Sequence, residues 1–167
     1  MSAPTQKRYG PALCALNDRS QILLTGGSAE GDYLTSCELY SAKTDRWKPA
    51  PVMNHGRHQH ASCFLNGRAY VFCGYSRSQT DSITTIERID IDQASAPNWL
   101  VIEIPDSILP ARCYPVVAPV STSQVAILGG YDASDYVSDA IMFDLESEKC
   151  EKIMDKDPKL AFYAFGN

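Results

Sequence analysis

The sequence predicts an all-β protein built from about three four-stranded antiparallel sheets. Three observations support this prediction: an apolar hairpin ending in glycine occurs three times, the copies are about fifty residues apart, and helical periodicity is almost absent. Only residues 145–156 are charged and periodic enough to suggest a helix, and they fall where the third repeat needs a turn and a strand. The glycines that end the hairpins are Gly26, Gly27, Gly74, Gly129 and Gly130.

Each hairpin joins two apolar segments through a short polar turn. The second hairpin has Asn66-Gly67 at this turn, a dipeptide that favours the type I′ turn because both central residues need positive φ. Its second segment, residues 68–72, is a nearly continuous apolar run, which is typical of a strand covered on both faces. The first and third hairpins, residues 9–25 and 114–128, have the same layout.

An arginine recurs at about the same spacing as the glycine sites. Arg8, Arg57 and Arg112 precede the three hairpins and lie 49 and 55 residues apart. A polar loop and two more short strands follow each glycine site, which makes four strands in each repeat. Such a unit cannot bury both faces of its sheet alone, so this repeat is typical of a β-propeller blade.

The order of features in each repeat resembles the kelch repeat. A glycine pair is followed by a strand that ends in Glu-x-Tyr at Tyr40, and then by a turn, Trp47, a Pro/Met connection and Arg57. The resemblance extends from Arg8 to Ile153 and implies blades around a central channel, with the hairpin strands inside and the Trp-bearing strand outermost. The departures are Cys73 for a glycine, Ile89 for the tyrosine, Cys150 for the last tryptophan, and Ala140-Ile141 for the glutamate region.

The predicted fold is therefore a kelch-type β-propeller segment of about three blades that forms an incomplete ring. Because propellers typically have four to eight blades, we expect the chain to be part of a longer propeller or to complete a ring with another chain. The expected units are the end of an inter-blade linker (1–7), three blades (8–53, 54–108 and 109–158), and a first strand of a further blade or a closing strand (159–167).

Composition and charge narrow the classes of function. The 167 residues carry a net charge of -5 and no basic run, which argues against nucleic acid and membrane as partners. No apolar segment is long enough to span a bilayer. The six cysteines contain no C-x-x-C pair and are expected to be core residues in a reducing compartment, so we expect a cytoplasmic protein.

The loops after the glycine sites are the predicted partner-binding surface. The kelch resemblance implies that they lie at one end of the disc, where partner proteins commonly bind. These loops, residues 28–34, 75–82 and 131–137, are polar and contain tyrosines and an arginine, which are enriched at binding hot spots. The predicted partner-binding residues of this loop face are Ser28, Glu30, Tyr33, Tyr75, Arg77, Tyr131, Asp132 and Tyr136.

The repeat markers are predicted to be structural. The glycines allow sharp backbone turns beside the neighbouring blade. Tyr40, Trp47 and Trp99 are expected to pack between blades, and the arginines to hold the linkers by hydrogen bonds to carbonyls or carboxylates. The full set of markers is Gly26, Gly27, Tyr40, Trp47, Arg57, Gly74, Trp99, Arg112, Gly129 and Gly130.

A histidine cluster is the one group of residues that suggests chemistry. His55, His58 and His60 are all the histidines of the chain, and imidazoles at this density can bind zinc or copper. His58 and His60 share a face if they lie on a strand, but no nearby cysteine or carboxylate completes a set of three or four ligands. We therefore expect no metal and no other cofactor.

The predicted function is a non-enzymatic protein–protein interaction scaffold that uses the loop face. No G-x-S-x-G or H-E-x-x-H motif is present. One alternative is a substrate-recognition propeller of a ubiquitin ligase complex, which resembles the best-known use of kelch propellers. Another is a kelch-like enzyme or metal-binding propeller that uses the three histidines.

Overall fold

Three four-stranded antiparallel sheets and one short ribbon make up the structure. The computed structural model describes residues 2–16, 20–76, 83–91, 98–132 and 134–155. Within these ranges every regular element is a β-strand, and no helix is present that could cross a membrane. The predicted all-β class and the antiparallel four-stranded units are therefore confirmed.

The first sheet is formed by the chain up to Ala50. Its four strands are β1 (Ala12–Ala15), β2 (Gln21–Thr25), β5 (Cys37–Ser41) and β6 (Arg46–Ala50). The loop between β2 and β5 contains two further short strands, β3 (Ser28–Ala29) and β4 (Asp32–Tyr33). The sheet order is β1-β2-β5-β6, and β3 and β4 pair with each other as a separate ribbon in the loop between β2 and β5.

The second and third sheets repeat this meander. The second contains β7 (Ala61–Leu65), β8 (Arg68–Phe72), β9 (Ile86–Asp90) and β10 (Leu100–Ile102). The third contains β11 (Val116–Pro119), β12 (Gln124–Tyr131), β13 (Tyr136–Asp144) and β14 (Lys149–Met154). In both sheets each strand pairs with the next one along the chain, so residues 145–156, which had the weak helical pattern, contribute a turn and β14 where the structure describes them.

The turn between β7 and β8 has the conformation that its Asn-Gly dipeptide predicts. Asn66 and Gly67 have φ of 52° and 76°, as a type I′ turn requires, and Leu65 pairs with Arg68. Because this turn fixes the register of the hairpin, it also decides which residues of β8 face each neighbouring sheet.

The second sheet is covered on both faces, as its continuous apolar strand predicts. Successive side chains of a strand point to opposite faces. Ala69 and Val71 of β8 pack in the core against the first sheet, whereas Tyr70 and Phe72 pack in the core against the third. All four are fully buried, and removing a large apolar side chain such as Phe72 from water stabilises the fold by roughly 1.5–3 kcal/mol.

An aromatic cluster joins the second sheet to the third. Phe143 of β13 meets Tyr70 and Phe72 edge-on, at ring-centroid distances of 5.9 and 5.8 Å. Edge-to-face pairs add about 0.5–1.5 kcal/mol to the burial of each ring. The seam is therefore apolar along its length, which explains how two thin sheets are held together.

The three sheets lie side by side and do not close into a ring in the described part of the chain. The inner strands β1, β7 and β11 are neighbours, and the sheets fan outward from them. The first sheet and the third thus each have one face without a further sheet. Exposed apolar side chains on these outer sheets include Leu13, Val116 and Ile153. The boundaries expected for the blades stay a prediction, and residues 159–167 lie outside the described residues.

Candidate functional site

Each sheet contains a buried arginine that binds a carboxylate. Arg57 Nη2 donates to Glu87 Oε1 at 2.7 Å, and its Nη1 donates to the carbonyls of Cys73 and Thr85 at 2.9 and 3.1 Å. Both charged side chains are fully buried. Burial acts to raise the pKa of Glu87, but the Arg57 charge and hydrogen bonds from Asn54 outweigh it and hold this pKa below its ordinary value.

The carboxylate also fastens the linker that enters the sheet. Glu87 Oε2 accepts hydrogen bonds from the backbone and side-chain nitrogens of Asn54 at 2.7 and 2.9 Å. In the first sheet Glu38 holds Thr5 in the same way and binds Arg8 at 2.8 Å. We call the pairs Arg8–Glu38, Arg57–Glu87 and Arg112–Asp139 the arginine joints.

The joint of the third sheet uses a carboxylate that alignment of the repeats does not identify. Ala140-Ile141 stand in the glutamate region of this repeat. Asp139 supplies the carboxylate: Arg112 Nη2 donates to Asp139 Oδ2 at 2.9 Å, and Nη1 binds the other carboxylate oxygen. Asp139 lies two residues before Ile141, in the irregular part of β13 between Val137 and Ala140.

Glycine amides link the first and second sheets to the repeat arginine of the following sheet by backbone hydrogen bonds. The amide of Gly27 donates to the carbonyl of Arg57, and the amide of Gly74 donates to the carbonyl of Arg112, both at 2.9 Å. A Cβ added at Gly74 would lie 2.7 Å from the Cβ of His60, so only glycine permits this approach.

The first position of each glycine pair has a left-handed backbone. Gly26 and Gly129 have φ of 55° and 56°, and Cys73 adopts φ of 58° although it carries a side chain. The cysteine that departs from the repeat therefore keeps its backbone geometry. Its thiol is fully buried, and burial raises the pKa of Cys73 to about 11.

The inner ends of the sheets are linked by a backbone ladder. The amide of Gln59 donates to the carbonyl of Gly10 at 2.8 Å, and the amide of Tyr114 donates to the carbonyl of Gln59 at 2.7 Å. All three residues follow a repeat arginine by two positions and have positive φ, between 54° and 59°. The ladder brings the residues on either side of it to one end of the fan.

Aromatic side chains converge beside this ladder. The ring of His58 stacks on Tyr33 at 4.3 Å and on Tyr75 at 5.6 Å. The side chain of Tyr114 lies close to that of Tyr9, and Tyr9 pairs through its backbone with Ser28 of β3, the strand partner of Tyr33. We call Tyr9, Tyr33, His58, Tyr75 and Tyr114 the aromatic belt.

The side chains of the belt are partly shielded from solvent. Burial raises the pKa of Tyr114 to about 12, with a further contribution from the neighbouring Tyr9 hydroxyl. Burial also lowers the pKa of His58, which favours the neutral imidazole. Yet Tyr9 and Tyr114 keep 64% and 37% of their surface exposed, so the belt presents aromatic rings to solvent.

The predicted loop-face residues lie close to this belt. Ser28 and Tyr33 belong to the β3–β4 ribbon, and Glu30 is in its turn. Tyr131 and Tyr136 stack edge-on at 5.4 Å where β12 meets β13. Asp132 accepts hydrogen bonds from the backbone of Ser134 and Asp135 and so shapes the loop between these tyrosines. Arg77 lies outside the described residues.

Sequence reasoning missed three members of the belt. Tyr9 and His58 directly follow a repeat arginine, and Tyr114 follows one by two positions. The short distance in sequence of each residue from a repeat arginine was the available signal. It could not show that Tyr9 and Tyr114, which belong to the first and third repeats, meet at the inner end of the fan.

The three histidines have separate surroundings. His55 contacts Glu87 at 3.3 Å, His58 stacks between the two tyrosines, and His60 Nε2 is 2.8 Å from Thr25 Oγ1. Among the described residues no three of the types that ligate metals form a group able to hold an ion. The cluster seen in the sequence is thus divided among an arginine joint, the belt and a strand contact.

The tryptophans fasten the linkers to the outer strands. Trp99 is buried between the first and second sheets, and its indole nitrogen donates to the carbonyl of Pro51 at 2.9 Å. Trp47 donates to the carbonyl of Ser2 at 3.0 Å and packs on Tyr40 at a ring distance of 5.1 Å. Trp47 is half-buried, so the large cost expected from the loss of a fully buried tryptophan does not apply to it.

Two comparisons with known proteins fit this architecture. A protein of Arabidopsis thaliana whose name describes it as an F-box/kelch-repeat protein is 32% identical over 72 residues, which are 43% of this chain and 18% of that relative. This chain therefore spans under a fifth of the relative it matches. The model of the KLHDC2/KLHL20/DRC7 Kelch-repeats domain family matches residues 2–161. With three four-stranded sheets, three arginine joints and a family match over nearly its whole length, the chain belongs to the KLHDC2/KLHL20/DRC7 Kelch-repeats domain family.

Proposed function

We propose that this chain is a non-enzymatic protein-interaction scaffold whose contact surface is the aromatic belt with its neighbouring loops. Kelch-repeat domains generally bind other proteins, which supports the class of function. The observation that carries the choice of surface is the gathering of exposed rings at one end of the fan. Tyr9 is 64% exposed and Tyr136 is 41% exposed. Tyrosine offers a large contact area with few rotatable bonds, and it is enriched at binding hot spots.

Site-specific photo-cross-linking in the native cell tests this surface. A photoreactive phenylalanine analogue at position 9 should join the chain to a discrete partner protein, because this position is exposed within the belt. The matched control places the same analogue at Glu146, which is exposed in the β13–β14 turn at the opposite end of the third sheet. Equal cross-linking from both positions, or none from position 9, would contradict the proposal.

We further propose that other blades, of the same or another chain, cover the open faces of the first and third sheets. The three sheets leave one face of each outer sheet without a neighbour among the described residues, and propellers close with four to eight blades. Light scattering on the purified 167-residue chain should give an assembled mass or poor solubility. A soluble, cooperatively folded monomer of 18.4 kDa would contradict this expectation.

Substrate recognition in a ubiquitin ligase is the second candidate function. The F-box/kelch-repeat name of the Arabidopsis relative favours it. Affinity purification of the protein from its native cell, with and without a proteasome inhibitor, provides the test. Ubiquitin ligase subunits should co-elute, and the partner cross-linked at position 9 should accumulate when the proteasome is blocked. A partner whose abundance does not change would argue for the scaffold alone.

We also propose a cytoplasmic location. All six cysteines are free thiols, and five of them are buried, which suits a reducing compartment. Fractionation of the native cell should recover the protein with the cytosol, and recovery with secreted material would overturn this proposal.

A further inference from the structure

We infer that the aromatic belt binds an arginine-bearing peptide segment of the partner protein. This inference rests on the proposed function and specifies the chemistry of the partner. Three independent features of the described residues support it: the exposed tyrosine rings, the sign of the charges beside them, and a buried histidine without a hydrogen-bond partner.

The rings supply faces suited to a guanidinium group. Tyr9 and Tyr114 lie close to each other and are partly exposed, so their rings are accessible to a ligand. A planar guanidinium stacks on tyrosine by combined cation–π and dispersion attraction, and it is more weakly hydrated than an ammonium group. Arginine therefore loses less solvation than lysine when it enters the belt.

Among the residues that the structure describes, the charges beside the belt are predominantly negative. Glu30 and Asp32 lie on the β3–β4 ribbon next to Tyr33 of the belt. Asp135 lies in the neighbouring loop that follows Tyr131, which pairs through its backbone with Cys113 beside Tyr114; all three acids are exposed. Asp132 adds a fourth carboxylate in the same loop as Asp135. Lys7 is the one exposed lysine or arginine beside the belt in the part of the chain that the structure describes. Such a surface attracts cations and repels acidic peptides.

His58 supplies an acceptor inside the belt. Its side chain lies between Tyr33 and Tyr75, the residue is 8% exposed, and both ring nitrogens are buried with no hydrogen-bond partner. A neutral imidazole has one nitrogen that can accept a hydrogen bond. Arginine offers five N–H donors and no acceptor, so it can satisfy this nitrogen while its plane contacts the neighbouring rings.

A matched peptide series tests the inference directly. Fluorescent peptides of one serine-rich sequence carry arginine, lysine, citrulline or glutamate at the same positions, and fluorescence anisotropy measures their Kd for the purified protein. The arginine peptide should bind best. Citrulline, which keeps the shape but lacks the charge, should bind at least about tenfold more weakly, and glutamate weakest. Citrulline or glutamate peptides that bind as well as the arginine peptide would overturn the inference.

Protein variants locate the site. Glu30→Gln with Asp32→Asn should weaken binding of the arginine peptide by about threefold to tenfold. The matched control, Glu146→Gln with Glu151→Gln, removes two exposed carboxylates away from the belt and should leave Kd unchanged. His58→Phe keeps an aromatic ring but no acceptor, and it should also weaken binding; thermal unfolding confirms that each variant is folded. An equal loss in the control pair would overturn the inference.

Failure of this inference can be told from failure of the proposed function. If no arginine peptide binds while position 9 still cross-links to a partner, the partner chemistry is wrong and the belt remains a protein-binding surface. If neither experiment gives a signal, both the inference and the proposed surface are wrong.

Discussion

Arg57 and Arg112 occupy the same position in successive sheets, yet the carboxylates that bind them come from different backbone geometries. Glu87 lies in a regular part of β9, opposite Val71 of β8. Asp139 lies in a β-bulge of β13, between the pairs Leu128–Ala140 and Gly130–Val137. Both sheets therefore have the arginine–carboxylate ion pair, but the acid lies at a different position along the strand in each.

In these two joints the length of the acidic side chain and its position along the strand compensate each other. In the second sheet Thr85 Oγ1 accepts from Arg57, and Glu87 binds the same guanidinium from two residues further along the same side of β9. In the third sheet Asp139 takes the place of Thr85, and Ile141 stands where the glutamate would be. A shorter acid at the nearer position thus replaces a longer acid at the farther one.

The largest effect is expected from loss of the acid in the second joint. Glu87→Ala leaves the buried guanidinium of Arg57 without its counter-charge and frees the linker at Asn54, so the free energy of unfolding should fall by about 3–5 kcal/mol. Urea unfolding followed by circular dichroism measures it. The control Glu146→Ala, at an exposed position, should change stability by less than about 0.5 kcal/mol. Similar losses in both would show that the joint does not stabilise the fold.

Relocation of the acid in the third joint tests the compensation itself. The double variant Asp139→Thr, Ile141→Glu rebuilds the arrangement of the second sheet around Arg112. Each single change should destabilise the fold, and the double variant should be more stable than their sum predicts, by a coupling energy of about 0.5–3 kcal/mol. Urea unfolding of all four proteins completes the cycle. Simple additivity would mean that the two joints are not equivalent.

Acid should weaken the seam between the first and second sheets before it weakens the joints. Burial, with the nearby charge of Arg57, holds the pKa of His60 well below its ordinary value. The unfolded state therefore binds more protons, and stability should decline as pH falls below about 6.5. His60→Gln should reduce this decline and leave the part contributed by His58, whose pKa is also lowered by burial. The pKa values of Glu38 and Glu87 are also lowered, so a second decline should begin below about pH 4.5 in both proteins.

The urea midpoint at a series of pH values distinguishes these steps. A variant that keeps the full decline between pH 7 and 5 would exclude His60 as its source.

The smallest effect is expected at a solvent-exposed ion pair. Arg68 Nε donates to Asp90 Oδ1 at 2.6 Å, but the two side chains are 39% and 25% exposed. Arg68→Gln should lower the free energy of unfolding by less than about 1 kcal/mol, because solvent screens the pair. A loss as large as that of Glu87→Ala would mean that burial does not separate the joints from surface pairs.

The local features of the repeat could be predicted from the sequence. The Asn66-Gly67 turn, the glycine at position 74 and the continuous apolar strand β8 each encode a conformation within a few residues, and the structure has all of them. Asp139 could not be placed, because the acid of this repeat lies at the position of Thr85 rather than at the glutamate position, where alignment of the repeats puts Ile141.

The belt was beyond sequence reasoning for a different reason. Tyr9 and Tyr114 are more than a hundred residues apart, and they meet only because the inner strands of three sheets are neighbours. The partner-binding role of the loop-face residues stays a prediction, which the cross-linking and peptide experiments address.

The ladder from Gly10 through Gln59 to Tyr114 has a consequence for how this surface can change. Its two hydrogen bonds use only amide and carbonyl groups, so main-chain atoms alone fix the position of each sheet relative to the previous one. A glycine, a glutamine and a tyrosine all serve as rungs, although the positive φ at these positions disfavours β-branched side chains. Unbranched side chains can therefore replace one another here, while the main-chain bonds keep the spacing of the sheets constant.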